Sequence, residues 1–471
     1  MTRPNDDFDL VVIGAGSGGL VGARFAAQLG AKVALIERHR IGGDCTWTGC
    51  VPSKALLKVA KVAHEIRTAA RYGVGASPPT VNMSEVREYV RAAIQGVYQL
   101  ETPEALAAEG IVVVLGEARF LNDSAVTIDG RAIRSKAFLL TTGARALVPP
   151  IAGLKDVPFI TYEQVFENDH LPNSLLIVGG GPIGMEMAQG YQRLGAQVTV
   201  VGARVLPKED PDVQQLMQSI LEHEGVRFVL EKAKSARKDG NSIIITTEQQ
   251  EASGDTLMIA VGRNPNVAGL DLETAGVKYS PRGISVDDRL RTNVKHIYAA
   301  GDVTGSYQFT HYAGWQAFQA VRNALLPGSS MGTSKLVPWV TFTDPEVAHI
   351  GATEEQARTE NGNGVCIYRR DLRQVDRAIC ENDLSGFLKL ITKPDGTILG
   401  ATIVGSRAGE AISEIVVAMK QRMKIDDLAS SIHPYPTYST PVQQMAADIA
   451  VEHQLSGTRG KLLKWLSETV R

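Results

Sequence analysis

The sequence predicts an α/β chain that carries two Rossmann-like βαβ units and, behind them, a smaller α+β module. Three observations predict it. A glycine turn of the form G-x-G-x-x-G follows an apolar strand at two places, the texture of the chain changes near Lys335, and 471 residues exceed what one ordinary core accommodates.

The first turn lies in "FDLVVIGAGSGGLVGARFAAQLGAKVALIER". It reads as a buried strand from Phe8 to Ile13, a turn with Gly14, Gly16 and Gly19, a helix from about Leu20 to Leu29, and a second strand ending at Glu37. The unit returns from Ser174 to Arg204 as "SLLIVGGGPIGMEMAQGYQRLGAQVTVVGAR", with Gly179, Gly181 and Gly184. A tight turn needs the first glycine, close approach of a pyrophosphate needs the second, and helix-on-strand packing needs the third. The helix N-terminus then offers unpaired N–H groups and a partial positive charge to phosphates. Two copies predict two dinucleotide sites.

Between and after these units the chain predicts a helix from Asp212 to Glu224, strands around Phe228 and in "SIIITT", and three more apolar strands that run into glycine turns. These are "AFLLTTGARALVPP" with Gly143, "DTLMIAVGRNPN" with Gly262, and "HIYAAGDVTG" with Gly301 and Asp302. From Lys335, "KLVPWVTFTDPEVAHIGATEEQA" and "GFLKLITKPDGTILGATIVG" read as antiparallel strands with a turn at Pro394 to Gly396. Helices follow at about Ala408 to Met423 and Val442 to Gln454. The domain boundaries read from this pattern are 1–150, 151–266, 267–335 and 336–471.

Composition narrows the function classes. With 49 basic against 51 acidic side chains, a charge of -2 gives no electrostatic case for nucleic acid or an anionic membrane as partner. The start "MTRPNDDFDLVVIG" has no basic head before a long apolar run, and no stretch reaches a membrane span. Four cysteines are far from a secreted disulfide scaffold, so the expected compartment is the cytoplasm.

The residues after each second strand separate the two expected ligands. Glu37 stands 23 positions after Gly14, where a carboxylate accepts both hydroxyls of an adenosine ribose. The second unit ends instead in Gly202, Ala203 and Arg204, with Lys208 close behind. A guanidinium welcomes a 2'-phosphate that a carboxylate repels, so this site leans towards NADPH over NADH.

Two cysteines remain to be placed, in "GGDCTWTGCVPSK" from Gly42 to Lys54. Zinc wants four ligands, and no neighbouring Cys or His completes a set around Cys45 and Cys50. Five residues of regular helix rise about 7.5 Å, beyond the roughly 7 Å that a disulfide spans between Cα atoms. The helix start must therefore be distorted, for which Gly49 and Pro52 are suited. A helix N-terminus and Lys54 would lower a thiol pKa, and a redox pair is the best reading.

The glycine turn, the G-G-x-C-x-x-x-x-G-C-x-P-S-K run, the second glycine unit and the "AAGD" turn, in that order and at these spacings, resemble the flavin-dependent pyridine nucleotide–disulfide oxidoreductases. That family includes dihydrolipoyl dehydrogenase, glutathione reductase and mercuric reductase, and the resemblance covers the whole chain. It implies FAD in the first site, with Gly143 and Gly301 in its surround, and NADPH or NADH in the second, with Gly262 there. It further implies Cys50 against the flavin as charge-transfer thiol, Cys45 as interchange thiol, and Lys54 near the flavin N5, paired with Glu186. Asp302 would bind the ribityl chain and Ala118 would face the adenine through its backbone. The C-terminal module would form a homodimer interface and complete the partner's active site.

One stretch departs from the resemblance. Members that use dithiols carry H-P-x-x-x-E, a histidine base oriented by a glutamate, whereas this chain has "SIHPYPTYSTPV". Alignment on the P-T-x-S core puts Tyr435 in place of the histidine and Thr440 in place of the glutamate. A phenol with a pKa of about 10 is a poor base at neutral pH, and His433 lies two residues upstream, roughly 6.6 Å away along an extended chain. The expectation is a mercuric-reductase-like acceptor, a soft metal ion or other small oxidant, although the chain has no C-terminal cysteine pair. A dihydrolipoyl dehydrogenase with His433 as base is the alternative, and a flavin-binding sensor is the alternative without catalysis. Cys366 and Cys380 read as core or surface thiols, and His311 and Tyr312 as residues near the expected flavin.

Overall fold

The structure is a computed structural model that describes residues 7–470; Met1 to Asp6, part of the stretch read above for a leader, and Arg471 lie outside the described residues. It divides into two compact units, one over Met1–Ala203 and Glu224–Ser334, the other over Arg204–His223 and Lys335–Arg471.

In the first unit, strand β1 (Asp7–Ile13) is the centre of a parallel sheet, and Leu10 to Ile13 are at most 4% exposed. A continuous apolar run has this fate because both faces of a parallel sheet are covered. Helix α1 (Ser17–Gln28) crosses over and returns the chain to β2 (Val33–Glu37), which pairs in parallel with β1. The helix begins at Ser17, earlier than about Leu20, because Gly16 is already its N-cap and Gly18 and Gly19 pack as helical residues. Beyond β2 lies strand Ile111–Leu115; on the other side of β1 lies Arg131–Leu140, followed by Ile297–Ala299. The last strand of this sheet thus arrives some 160 residues after its neighbour. The cysteine stretch follows β2 as two helices, α2 (Gly43–Trp47) and α3 (Cys50–Thr68).

The same unit repeats the crossover with strand Ser174–Val178, helix Pro182–Leu194 and strand Gln197–Val201, flanked in parallel by Arg227–Val229 and Thr256–Ile259. A three-stranded antiparallel sheet, Ser235–Asp239, Ser242–Thr246 and Glu251–Gly254, accompanies it.

The second unit is built on a five-stranded antiparallel sheet. Strands Phe387–Thr392 and Ile398–Gly405 form its centre, joined by the turn at Gly396, whose φ is 83°. Helices Ala408–Lys420 and Thr440–Leu455 bring Ile412, Ile415, Val442 and Ile449 to the apolar cluster that holds Leu388, Leu390 and Ile403. The first helix ends three residues before the expected Met423, and Arg422 adopts a φ of 57° just after it. The second starts two residues earlier than Val442, with Pro441 in its first turn, where a missing N–H costs nothing. Helix Pro211–His223 is offset from the expected Asp212 to Glu224 by one residue at each end.

A polar seam is buried in this unit. Lys389, 2% exposed, binds Asp210 and Asp212, each at 2.8 Å. Beside them Glu209 accepts the Trp339 indole N–H at 2.6 Å, and its other oxygen, Oε2, has no hydrogen-bond partner among the described residues. Burial pushes the Glu209 carboxyl up to about 7, and the neighbouring Asp210 charge acts in the same direction. Trp339 stacks on His349 at 4.3 Å, and burial holds that imidazole down at about 4, hence neutral.

A raised carboxyl pKa stabilises the fold below the unfolded value near 4.5, and that contribution is lost as pH rises through about 7. Glu209→Gln keeps the bond to Trp339 without the charge. It is expected to gain on the order of 3 kcal/mol over wild type between pH 5 and pH 8. Melting temperatures of both proteins across that range check this; parallel pH profiles would refute it.

Candidate active site

The two glycine turns are built alike. At Gly14 φ is 101° and a Cβ would lie 2.4 Å from the Thr141 carbonyl oxygen; at Gly179 φ is 129° and a Cβ would lie 2.3 Å from that of Ala260. A Cβ on Gly19 or Gly184 would meet the carbonyl oxygen of Gly14 at 1.8 Å or of Gly179 at 2.1 Å. Gly16 and Gly181 are the N-caps and provide no side-chain cap, so the first amides of both helices face outward uncapped. In the first turn a further glycine, Gly43, approaches so closely that its Cβ would sit 2.7 Å from the Gly16 Cα. Such cradles fit the diphosphate of a dinucleotide.

At the end of β2, the Glu37 carboxylate accepts the Ala15 N–H and the His39 N–H, both at 2.8 Å, which fixes it at the lip of the first turn. Gly202 holds the corresponding position, 23 residues after Gly179. A Cβ there would lie 2.9 Å from the amide nitrogen of Gly180, so the backbone leaves no room for an acid. Arg204 and Lys208 follow, both exposed. The remaining expected positions are also located. Gly143 and Gly262 turn with φ of 68° and 135°, Gly301 turns with φ of 76° and donates its N–H to Gln316, and Ala118 is 5% exposed within the sheet's apolar cluster.

The cysteine stretch departs from one distorted helix. α2 and α3 are separate, with Thr48 and Gly49 between them, and a Cβ on Gly49 would lie 2.7 Å from the Asp44 carbonyl oxygen. The break folds Cys50 back onto Cys45: both are free thiols, and their side chains hydrogen-bond to each other. That bond is the main cause pulling Cys50 down to about 6, against the effect of burial, with help from Thr310 and the Lys54 charge. The same bond, then burial, pushes Cys45 far up. Lys54 lies one helical turn beyond Cys50 and pairs with Glu186 at 3.1 Å; the Glu186 side chain is 8% exposed. Pro52 falls in the first turn of α3, and Ser53 donates to the Cys50 carbonyl there.

Sequence reasoning missed three partners. Thr310, the first residue of helix Thr310–Leu325, contacts the Cys50 sulfur at 3.3 Å, so a second helix N-terminus favours the thiolate. His311 and Tyr312 belong to an aromatic run next to it, His311 stacked on Phe309 and Tyr312 on Trp315. Arg263, directly after Gly262, binds Asp302 at 2.6 Å and Asp44 at 2.5 Å. Tyr162 donates to the same Asp44 oxygen at 3.0 Å. Only the residue types were visible in the sequence; no spacing signalled these contacts.

In the second unit, Tyr435 is 65% exposed and its hydroxyl donates to Asp376, which holds the phenol above its ordinary pKa. Thr440, aligned to the orienting glutamate, instead bonds Thr437 and the Pro434 carbonyl. His433 pairs with Glu414 at 2.8 Å, its side chain 10% exposed. Cys366 is half-buried and Cys380 exposed. Among the described residues no cluster of three or more His, Cys, Asp or Glu could hold a metal, and no helix is long and apolar enough to cross a membrane.

Residues 8–317 match the family described as pyridine nucleotide-disulphide oxidoreductase, and residues 337–446 match the dimerisation domain of that family. A dihydrolipoyl dehydrogenase of Haloferax volcanii is 36% identical over 93% of this chain and 95% of its own length. A mercuric reductase of Bacillus cereus is 33% identical over 92% of this chain and 70% of its own. The solved structure of the HOCl-induced flavoprotein disulfide reductase RclA from Escherichia coli superposes with a TM-score of 0.84 at 29% identity, covering 93% of this chain and 99% of the other.

The thiol geometry makes a prediction about the reduced protein. Alkylation of Cys50, followed by peptide mass mapping, is expected to titrate with a midpoint near pH 6, with Cys45 reacting more slowly. Cys45→Ala removes the hydrogen bond between the thiols and should move the Cys50 midpoint up. A wild-type midpoint at the ordinary thiol value, unmoved by the substitution, would refute the assignment.

Proposed function

The chain belongs to the pyridine nucleotide-disulphide oxidoreductase family, and from that premise we propose that it passes electrons from NAD(P)H to the Cys45–Cys50 couple and on to a soft metal ion or another small oxidant. Its fold and membership make it an oxidoreductase that uses FAD and NAD(P)H, with two dinucleotide-binding parts and a C-terminal dimerisation domain. The observation that carries the reading is Cys50 at the start of α3, 3.3 Å from Thr310 at the start of a second helix, with Cys45 folded against it and Lys54 one turn on.

The division of labour we propose keeps a flavin-binding part over 1–150, a nicotinamide-binding part over 151–266, a return over 267–335 and a dimerising part over 336–471. In the first part Gly14, Gly16, Gly19 and Glu37 hold the adenosine diphosphate end, with Ala118 and Gly143 around it, and Gly301 and Asp302 take the flavin side chain. Gly179, Gly181, Gly184 and Gly262 hold the second dinucleotide. NADPH over NADH is supported by the exposed Arg204 and Lys208 and by the absence of room for an acid at Gly202. The flavin, when bound, supplies the two-electron chemistry between nicotinamide and sulfur. The chain's own residues do the rest. Lys54, oriented by Glu186, and Thr310 keep Cys50 a thiolate at neutral pH, while Cys45 stays protonated as the outer thiol that meets the acceptor. The assembly we propose is a cytoplasmic homodimer without nucleic-acid or membrane partners, supported by the match to the dimerisation domain and by the near-neutral charge.

The acceptor is the finer part of the proposal. A phenol held on Asp376 is a poor base, which supports an acceptor that is not a dithiol. Relatives named mercuric reductase, and a solved Cu(II) complex of the RclA flavoprotein, point the same way. The His433–Glu414 pair favours the second reading, a dihydrolipoyl dehydrogenase, because a carboxylate orients the imidazole there as a base requires.

Anaerobic titration with NADPH and NADH, followed by challenge with mercuric ion, cupric ion, lipoamide and oxidised glutathione, tests both readings. Metal-ion turnover with negligible lipoamide turnover is expected; fast lipoamide turnover that His433→Gln abolishes would replace the first reading by the second. Arg204→Ala should raise KM for NADPH about tenfold and leave KM for NADH nearly unchanged. Cys50→Ser should abolish the long-wavelength thiolate–flavin band of the reduced enzyme, and Cys45→Ser should keep it. A flavin that neither nucleotide reduces would leave a sensor instead.

A further inference from the structure

We infer that Asp44 is a positioning residue for the redox pair: through Arg263 and Tyr162 it fixes the short helix that presents Cys45 and ties that helix to the turn carrying Asp302. The inference rests on the reading of Cys45 and Cys50 as a redox couple.

The starting point is the weakness of α2 itself. Five residues make barely one turn, and an isolated turn is not stable, since nucleation costs more than its first hydrogen bonds return. Its entry is also unusual, with Gly42 and Gly43 both at positive φ, 104° and 58°. External contacts must therefore hold it. Thr46 donates to Glu101 at 3.0 Å. Trp47 donates its indole N–H to the Ile41 carbonyl at 2.7 Å and packs on Tyr98 at 5.1 Å. Asp44 receives Arg263 at 2.5 Å and Tyr162 at 3.0 Å. Cys45 is thus flanked by anchored side chains at 44, 46 and 47.

Among those anchors only Asp44 connects with the cofactor turn. Arg263 uses all three nitrogens: one to Asp44, one to Asp302 at 2.6 Å, and Nε to the Tyr162 hydroxyl at 3.2 Å. The Arg263 side chain is 18% exposed and that of Asp302 11%, so both are largely withdrawn from water, where charge-assisted bonds are strong. Because a guanidinium is planar, its bonds to two carboxylates fix their relative position as well as their charge. A disulfide needs its two Cα atoms about 4.4 to 6.8 Å apart, so a helix too short to hold its own position must be held by others to keep the two sulfurs within reach. Residue 44 precedes the sulfur-bearing residue directly, and its anchoring is therefore transmitted to Cys45 without an intervening joint.

The consequence is an equilibrium one. Pinning α2 raises the effective concentration of one thiol at the other, which favours the disulfide over the dithiol. The test uses the flavin-loaded full chain, equilibrated anaerobically in buffers of oxidised and reduced glutathione. In this exchange the protein disulfide takes two electrons and two protons from two glutathione thiols and leaves two protein thiols and one glutathione disulfide. The Cys45–Cys50 disulfide fraction is read by acid quench and peptide mass mapping, which separates it from Cys366 and Cys380. Asp44→Asn should shift the equilibrium towards the dithiol by about tenfold, the scale of one charge-assisted hydrogen bond. Asp44→Ala should shift it further, and Tyr162→Phe in the same direction. Flavin content and melting temperature are recorded for each variant, and Asp44→Asn, which keeps the size of the side chain, serves if Asp44→Ala does not fold.

An equilibrium constant within twofold of wild type in Asp44→Asn and Tyr162→Phe, or a shift towards the disulfide, overturns the inference. So does a shift that only follows loss of flavin. If the wild-type protein forms no Cys45–Cys50 disulfide across the whole range, the redox-couple reading falls and takes the inference with it; a normal wild-type titration with unmoved variants removes the inference alone.

Discussion

Two sulfur atoms five residues apart can meet only where the helix between them stops, and this constraint governs the surroundings of the thiols. Gly49 satisfies it because the Asp44 carbonyl stands where any Cβ would be. The cost is a five-residue helix with too few internal bonds to persist alone. The neighbouring structure makes up the deficit with side chains from distant segments, among them Glu101, Tyr98, Tyr162 and Arg263. In return α3 starts at Cys50, so its uncapped amides, Lys54 one turn on, and the start of a second helix at Thr310 all bear on one sulfur. The unequal pair, one thiolate and one thiol, follows from where the break falls.

How much of this could be read in advance depends on whether a contact leaves a trace in residue type. The glycine turns were legible, because a backbone that passes within 2.4 Å of a would-be Cβ tolerates nothing else, and glycine records that directly. The strands of the parallel sheets were legible as unbroken apolar runs. Gly202 was legible as the absence of an acid; the reason lies in the fold, where a Cβ would stand 2.9 Å from the Gly180 amide nitrogen. Asp44, Tyr162, Arg263 and Thr310 were not legible as a group. They lie 39 to 260 positions from the residues they bind, and no local pattern encodes those meetings. Helix ends were misread by up to three residues where a glycine N-cap or a left-handed residue such as Arg422 decides them.

The seam in the second unit shows a different limit. "VLPKEDPD" has the composition of a solvated loop, yet Glu209 and Asp210 are 6% and 4% exposed. Charge balance makes sense of it. Lys389 and Arg369 meet Asp210 and Asp212, two cations against two carboxylates; a further buried anion at Glu209 would be in excess. The carboxyl beside Trp339 is accordingly pushed up to about 7, and His349, stacked on the same indole, stays neutral. Burying a polar group is tolerable only when it is bonded or uncharged, and this seam uses both means.

The acceptor question turns on proton accounting. A disulfide acceptor becomes two thiols only if protons arrive with the electrons, and a dithiol donor must shed its protons, so either substrate needs a group that exchanges them near neutral pH. A soft cation needs none, since it takes electrons and offers its charge to thiolates. At Tyr435 the phenol donates to Asp376, and the carboxylate holds its proton more firmly than an ordinary tyrosine would. The Cys45–Cys50 pair, in contrast, already contains one thiolate and one retained proton. The proposal of an acceptor that binds sulfur directly rests on this contrast, between a thiol pair with one member lowered and one raised and a tyrosine held on a carboxylate. The His433–Glu414 pair has the arrangement of a proton-exchanging group, and its imidazole side chain is 10% exposed.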